Sequence, residues 1–374
     1  MTYIFLLCGF ALAVLLGIII IPNILLISYK RRLFDLPDER KVHTMPIPRL
    51  GGLSFLPVIL ISICLVIGGF YYAGVPIEEQ HLTRQGLCQF MFTTVGAMLL
   101  FLVGATDDLI GVSYPYKFLA QLLAAALLIL PGEWFNSLGG LLGIYAIPPY
   151  AGAAITIFII IFITNSINLI DGIDGLASGL SSIAFAVLGI KFVFLHEFTF
   201  ALLAFVTLGV VIPFWFYNVF GNAQRGHKLF MGDAGSLTLG FILSLLVIHL
   251  SRTDTGADHT GTPGLIAAFS TLVVPLFDVI RVVLHRLHAR KNPFRPDKNH
   301  IHHKLLRTGM RVRMVMLTIF GLSIYFIGLN ILLTDRIDIN WILIIDITSW
   351  IAIQTIINYA IRRHKRKSLV KQTA

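Results

Sequence analysis

Residues 150–194 read YAGAAITIFIIIFITNSINLIDGIDGLASGLSSIAFAVLGIKFVF. Two apolar runs, 150–167 and 175–194, flank a short polar segment that carries Asn168, Asp171 and Asp174. About 20 apolar residues in a helix cross the hydrocarbon core of a bilayer. The stretch therefore reads as two membrane-spanning helices joined by a polar turn at the membrane surface, because only a helix satisfies its own backbone polar groups in lipid.

The same alternation extends in both directions. Apolar windows predict about eleven spans, at 4–27, 50–73, 88–105, 117–132, 150–167, 175–194, 198–218, 235–250, 263–284, 314–333 and 340–360. Residues 131–150, with Pro131, Gly139, Gly140, Pro148 and Pro149, are left open between an outer loop and a short hairpin. The 374-residue chain is 56% hydrophobic and only 13% charged, where soluble domains carry about 25% charged residues. The expected architecture is thus an all-α polytopic membrane bundle, with no soluble domain and no repeat. The first run has no basic residues ahead of it and a basic cluster behind it, so it is read as a retained span and not a cleaved leader. Cys8, Cys64 and Cys88 form no CxxC pair and read as small buried hydrophobes.

The formal net charge is +10, and its placement carries information. Lys30, Arg31, Arg32, Arg40, Lys41 and Arg49 follow the first span; nine Lys and Arg from Arg286 to Arg313 follow the ninth; Arg362, Arg363, Lys365, Arg366, Lys367 and Lys371 follow the last. All three clusters follow odd-numbered spans, while connections after even spans are acidic or neutral. The positive-inside rule then places the N-terminus outside and the C-terminus in the cytoplasm.

Four polar constellations interrupt the apolar chain, and each also follows an odd span. A carboxylate inside a membrane costs about 2.5–3.5 kcal/mol on insertion scales, so convergence on one face points to a task. Asp107-Asp108, followed by Lys117, suits a divalent cation or a base beside a cation-held phosphate; two acids capping the next helix are the structural alternative. In 168–175 the spacing of three predicts Asn165, Asn168, Asp171 and Asp174 along one helix flank, with Gly172 and Gly175 admitting a ligand close to the backbone. Met231-Gly232-Asp233-Ala234-Gly235-Ser236 opens an apolar helix whose first N–H groups suit a phosphate beside an Asp233-held metal, against an ordinary N-cap. His300-Ile301-His302-His303 lies among Arg295, Lys298, Lys304 and Arg307; those cations disfavour zinc and favour an anion clamp, against a solvated basic loop. Lys41, His43 and Arg49 contact either a carrier phosphate or lipid headgroups. No GxxxxGK[ST] or GxGxxG motif supports ATP-driven or dinucleotide chemistry, and no nucleic-acid partner is expected.

Together these residues resemble the polyprenyl-phosphate N-acetylhexosamine-1-phosphate transferase superfamily, over nearly the whole chain. Asp107-Asp108, 168–175 and 232–236 look like its signatures. Residues 35–43, 46–52 and His300-Ile301-His302-His303 are similar to the UDP-N-acetylglucosamine branch; the peptidoglycan branch shows three consecutive histidines where this chain has Ile301 between two of them. The resemblance implies one transmembrane catalytic domain over 1–374, with cytoplasmic site loops at about 28–49, 106–116, 168–175, 219–235 and 285–313, in a bacterial inner membrane. It implies Mg2+, with Mn2+ as the substitute, on Asp233 and Asn168 with Asp107 beside them. Asp107 would be the base with Asp108 its neighbour, and Lys117 would hold a phosphate. Asn165, Asn168, Asp171 and Asp174 would line the nucleotide-sugar site, and His300, His302 and His303 with Arg295 would neutralise the diphosphate. The partners implied are a UDP-sugar and undecaprenyl phosphate, with a homodimer left open. The reaction would transfer N-acetylglucosamine 1-phosphate and release UMP, by direct attack or through an Asp adduct. A transporter, the rival class, would place ionisable groups at mid-span. Only Asp278 and Asp346 are placed so; Asp278, near Arg281, is left open between site floor and structural pair.

Overall fold

The computed structural model describes residues 2–35, 46–74, 84–253, 264–292 and 298–373. The helices are α1 (Thr2–Arg31), α2 (Phe55–Tyr72), α3 (Arg84–Ile110), α4 (Tyr114–Ile129), α5 (Pro149–Ile170), α6 (Leu176–Phe194) and α7 (Phe198–Phe220). They continue as α8 (Gly232–Thr253), α9 (Gly264–Ser270), α10 (Val273–His288), α11 (Ile301–Leu306), α12 (Val312–Thr334) and α13 (Ile339–Thr373). A two-residue antiparallel pairing of Phe34–Asp35 with Ile47–Pro48 ties the start of the first connection to its end.

The chain is a polytopic all-α membrane protein. Among the described residues, nine helices are long and apolar enough to cross a membrane, and the α9–α10 pair adds a tenth if counted as one broken span. Each of the eleven predicted segments falls on a helix or on that pair, but α4 has only 16 residues. The pair bends by 70°. Its cause is local: the hydroxyls of Ser270 and Thr271 donate back to the carbonyls of Ala267 and Ala268, and Pro275 has no N–H for the carbonyl of Thr271. Residues 131–148 form a loop, not a helical hairpin, with positive φ at Gly132, Gly139, Gly140, Leu142 and Gly143.

α8 is the axis of the bundle. From Ala234 to Ser251 every residue is buried, so other helices and not lipid surround it. Small residues let the neighbours approach. A Cβ on Gly240 would stand 2.7 Å from Thr164 Cα of α5, and one on Gly104 of α3 would stand 2.6 Å from the Ala234 backbone. Gly9 and Gly17 of α1 do the same against Leu202 and Pro213 of α7. Without a hydrophobic drive between helices in lipid, such close approach is what packs them. The three cysteines correct the sequence expectation: Cys8 and Cys64 are exposed and Cys88 half-buried. An outward thiol on a membrane helix meets acyl chains, so its apolarity never required burial in protein.

Candidate active site

The acidic residues meet at one end of α3, α5 and α8. Asp107 and Asp108 belong to the last turn of α3, and Asp233 to the first turn of α8. One carboxylate oxygen from each of the three lies within 4.8 Å of the others. The close backbone contact at Gly104 sets this meeting, because it brings α3 onto the start of α8 one turn before Asp108.

Each acid has its own partners. Asp108, with a fully buried side chain, accepts from the backbone N–H groups of Asp233 at 2.8 Å and Ala234 at 3.0 Å. It therefore caps α8 from another helix, its two oxygens accepting from N–H groups that the helix itself leaves unpaired. Two of the N–H groups expected to hold a phosphate are taken in this way. Lys117 on α4 bridges the other two acids, with Nζ 2.8 Å from Asp107 Oδ2 and 2.6 Å from Asp233 Oδ2. Here it pairs with carboxylates where a phosphate contact was expected. Asn168 Nδ2 donates to Asp233 Oδ1 at 3.2 Å and to Ser236 Oγ at 2.8 Å, and Arg49 Nη2 stands 3.7 Å from Asp233 Oδ1 and 3.8 Å from Asp108 Oδ1. Arg49 is fixed because its loop is stitched to the strand-like approach to α8. Phe230 N donates to Pro48 O, Gly51 N to Phe230 O and Gly52 N to Met231 O.

The expected single flank of Asn165, Asn168, Asp171 and Asp174 is not formed. α5 stops at Ile170, Asp171 is its C-cap residue, and Asp174 lies in the following turn. Asn165 instead pairs with Gln121 of α4, its Nδ2 2.8 Å from Gln121 Oε1, and so fixes the helix that carries Lys117 one turn earlier. Asp174 forms an ion pair with Lys228. Solvent reaches Asp171 on one side while protein encloses it on the others. Desolvation and the carboxylates of Asp233, Asp174 and Asp108, against Arg49, push its carboxyl up to about 7. The turn is closed by Gly175, at φ +75°, whose N–H donates to Asn218 and whose carbonyl accepts from Trp215 Nε1 at 3.2 Å.

The histidine segment packs on this turn. A Cβ at Gly172 would be 2.2 Å from His302 Nε2, so glycine is required for the ring to lie there. His302 is buried and neither ring nitrogen has a hydrogen-bond partner among the described residues. Burial, then the nearby His303 and His300, push its pKa down to about 3, so at neutral pH it offers a hydrogen bond and no charge. His300 Nδ1 lies 2.8 Å from Asp278 Oδ2, while Asp278 Oδ1 accepts from Ile301 N at 2.9 Å and Arg281 Nη2 at 2.7 Å. Asp278, wholly buried on α10, thus anchors the start of α11. Asp346 accepts from Asn330 Nδ2 at 3.0 Å within the α12–α13 pair, away from these residues. Lys41, His43 and Arg295 lie outside the described residues. The sequence reading missed Gln121, Asn218, Trp215 and Lys228; Lys228, a lone lysine just ahead of 231–236, was the only one with a visible signal.

A carboxylate cluster threaded by a lysine and an asparagine, at one end of a bundle of membrane helices, defines an integral membrane enzyme whose centre suits a hard, oxygen-bound cation. Residues 90–251 match Glycosyl transferase family 4. The chain is 31% identical over 307 residues to the undecaprenyl-phosphate alpha-N-acetylglucosaminyl 1-phosphate transferase of Yersinia pestis, covering 81% of this chain and 78% of that protein. It is 30% identical over 307 residues to the protein of that name from Escherichia coli (strain K12), covering 81% and 77%, and 31% identical over 329 residues to a probable one from Bacillus subtilis (strain 168), covering 85% and 82%. The chain belongs to glycosyl transferase family 4 and is a transferase.

Proposed function

We propose that this transferase moves N-acetylglucosamine 1-phosphate from UDP-N-acetylglucosamine to undecaprenyl phosphate, releasing UMP and starting a lipid-linked cell-surface glycan. The names of its relatives support this reading, and the observation that carries it is the meeting of Asp107, Lys117, Asn168 and Asp233 at one end of the bundle.

An oxygen of the lipid phosphate attacks the β-phosphorus of the donor. The new P–O bond forms as the bond from that phosphorus to the UMP oxygen breaks, and UMP carries the electron pair away. Asp107 takes the proton of the lipid phosphate monoester, whose second pKa near 6 lies close enough to neutrality for a carboxylate to accept it. Asp233 and Asn168, with Asp107 adjacent, would hold Mg2+, or Mn2+ in its place; a carboxylate-rich set with no thiol fits such a cation. When bound, the cation offsets charge on the diphosphate. Lys117, which stands between Asp107 and Asp233, would hold a donor phosphate. Asp108 keeps the start of α8 in place, and Asp171, Asp174 and Arg49 line the donor pocket with His300, His302 and His303. Alignment and fixed charge do most of the work, as in phosphoryl transfer generally.

In this reading the N-terminus is outside, eleven crossings follow, and the site faces the cytoplasm of a bacterial inner membrane, where the donor is soluble. The chain acts alone or as a homodimer. Purified protein in lipid nanodiscs, given UDP-[14C]N-acetylglucosamine, undecaprenyl phosphate and Mg2+, should form labelled lipid and one UMP per product. Intact protein yielding free phosphate, or no lipid product, would overturn the reading. Without acceptor, direct attack predicts no UMP; UMP release with a phosphosugar trapped on an aspartate would replace it with the two-step route.

A further inference from the structure

At the other end of α3 and α8 lies a cavity of about 310 Å3, within the range of small-ligand sites. It is separate from the acidic centre: Thr93, on its wall, precedes Asp107 by 14 residues of the same helix (107 − 93), on the order of 20 Å. One part of the wall is aliphatic, with Leu56, Ile59, Ile63, Ile242 and Leu245. The other part is polar, with Gln89, Thr93, His249, Arg252, Glu133 and Glu197.

The polar part is incompletely satisfied. Glu133 is engaged by Arg252 Nη1 at 2.6 Å and His249 Nδ1 at 3.3 Å, which ties the 131–148 loop to the end of α8. Yet Gln89 Nε2, Thr93 Oγ1 and Arg252 Nε are buried and have no hydrogen-bond partner among the described residues, while His249, more than nine-tenths buried, has Nε2 3.9 Å from Glu197 Oε2. A buried polar atom left unpaired costs about 1–3 kcal/mol, so three at one cavity imply a missing partner. All three can donate. The partner must therefore supply hydrogen-bond acceptors at one end and a hydrocarbon chain at the other. The two glutamates disfavour a net anion, since the guanidinium charge of Arg252 is already answered by Glu133.

We propose that this cavity binds one acyl chain of a zwitterionic glycerophospholipid, whose ester oxygens accept hydrogen bonds from Gln89, Thr93 and Arg252. The chain lies along the aliphatic wall and props α3 against α8, the two helices that carry the acidic centre at their far ends.

The test uses the intact protein in zwitterionic nanodiscs doped with a phosphatidylcholine bearing a diazirine midway along one acyl chain. After irradiation, adducts are mapped by peptide mass spectrometry. The expected result is strong labelling at 56–67, 89–97 and 242–249. It should drop fivefold or more in Gln89→Leu, which removes a donor, and in Thr94→Phe, which fills the cavity. Labelling of lipid-facing Leu15 and Ile18 on α1 should stay constant. Equal wall labelling in both variants, no wall labelling, or displacement of the probe by undecaprenyl phosphate or phosphatidylglycerol in preference to phosphatidylcholine would overturn the proposal. If Thr94→Phe is not monodisperse on size exclusion, Gln89→Leu decides alone.

Discussion

Lys117 contacts Asp107 and Asp233 at once, and in the proposed reaction it holds a donor phosphate. Lys117→Ala should reduce product formation by about 100-fold or more, the scale of losing one fixed charge donor at a reacting phosphate. Lys117→Met, of similar length, should not rescue it; a rate within threefold of wild type would remove Lys117 from the site. His302 gives a prediction on pH. Its folded pKa of about 3 lies below the ordinary 6.5, so between these values the unfolded chain binds a proton that the native chain refuses. Stability from this group is complete above 6.5 and is lost as pH falls below it, at up to about 1.4 kcal/mol per pH unit. Thermal unfolding from pH 8 to pH 5 should fall less steeply in His302→Gln than in wild type, and parallel curves would contradict the burial. Asp278→Ala leaves His300, Arg281 and Ile301 N–H without their acceptor, and should cost about 3–5 kcal/mol with loss of activity. At this scale the acids that the fold brings together are legible in the sequence, but the contacts each one makes are not. Asp108 reads in the sequence as the neighbour of Asp107, and nothing local shows that its oxygens reach N–H groups 125 residues away. Asn165 looked like part of a stripe because spacing alone does not reveal that α5 ends at Ile170.

Between helices, the decisive contacts are made by glycines. Gly104→Val should push α3 off the start of α8, costing about 1–3 kcal/mol and separating Asp107 from Asp233. Its expected signature is loss of transfer by tenfold or more while the protein remains monodisperse; full activity would show that α3 tolerates the shift. Helix positions were legible because a bilayer demands long apolar runs, and every predicted segment carries a helix. Helix ends were less so. The 16 residues of α4 and the 70° break after Ser270 depend on Pro275 and on hydroxyls that turn back on the chain, and window averages smooth over both. The 131–148 loop was left ambiguous because its anchors, Thr156 on Phe135 N and Arg252 on Glu133, lie far along the chain.

For the molecule as a whole, the proposed orientation is open to direct measurement. In a variant lacking Cys8, Cys64 and Cys88, Asn222→Cys should react with an impermeant maleimide only from the cytoplasmic side, and Ser137→Cys only from outside. Labelling of both from one side would reverse or break the proposed topology. The enclosure of α8 has a further consequence for how the protein matures. A helix that touches no lipid in the finished fold has only a provisional seat as it leaves the ribosome. It gains its proper surroundings when α3, α5, α6 and α9 gather about it. Asp233 rides on that helix, so the centre cannot be assembled early and protected later. Catalytic competence should therefore arise at the end of biogenesis, as the last event of helix assembly and not its starting point.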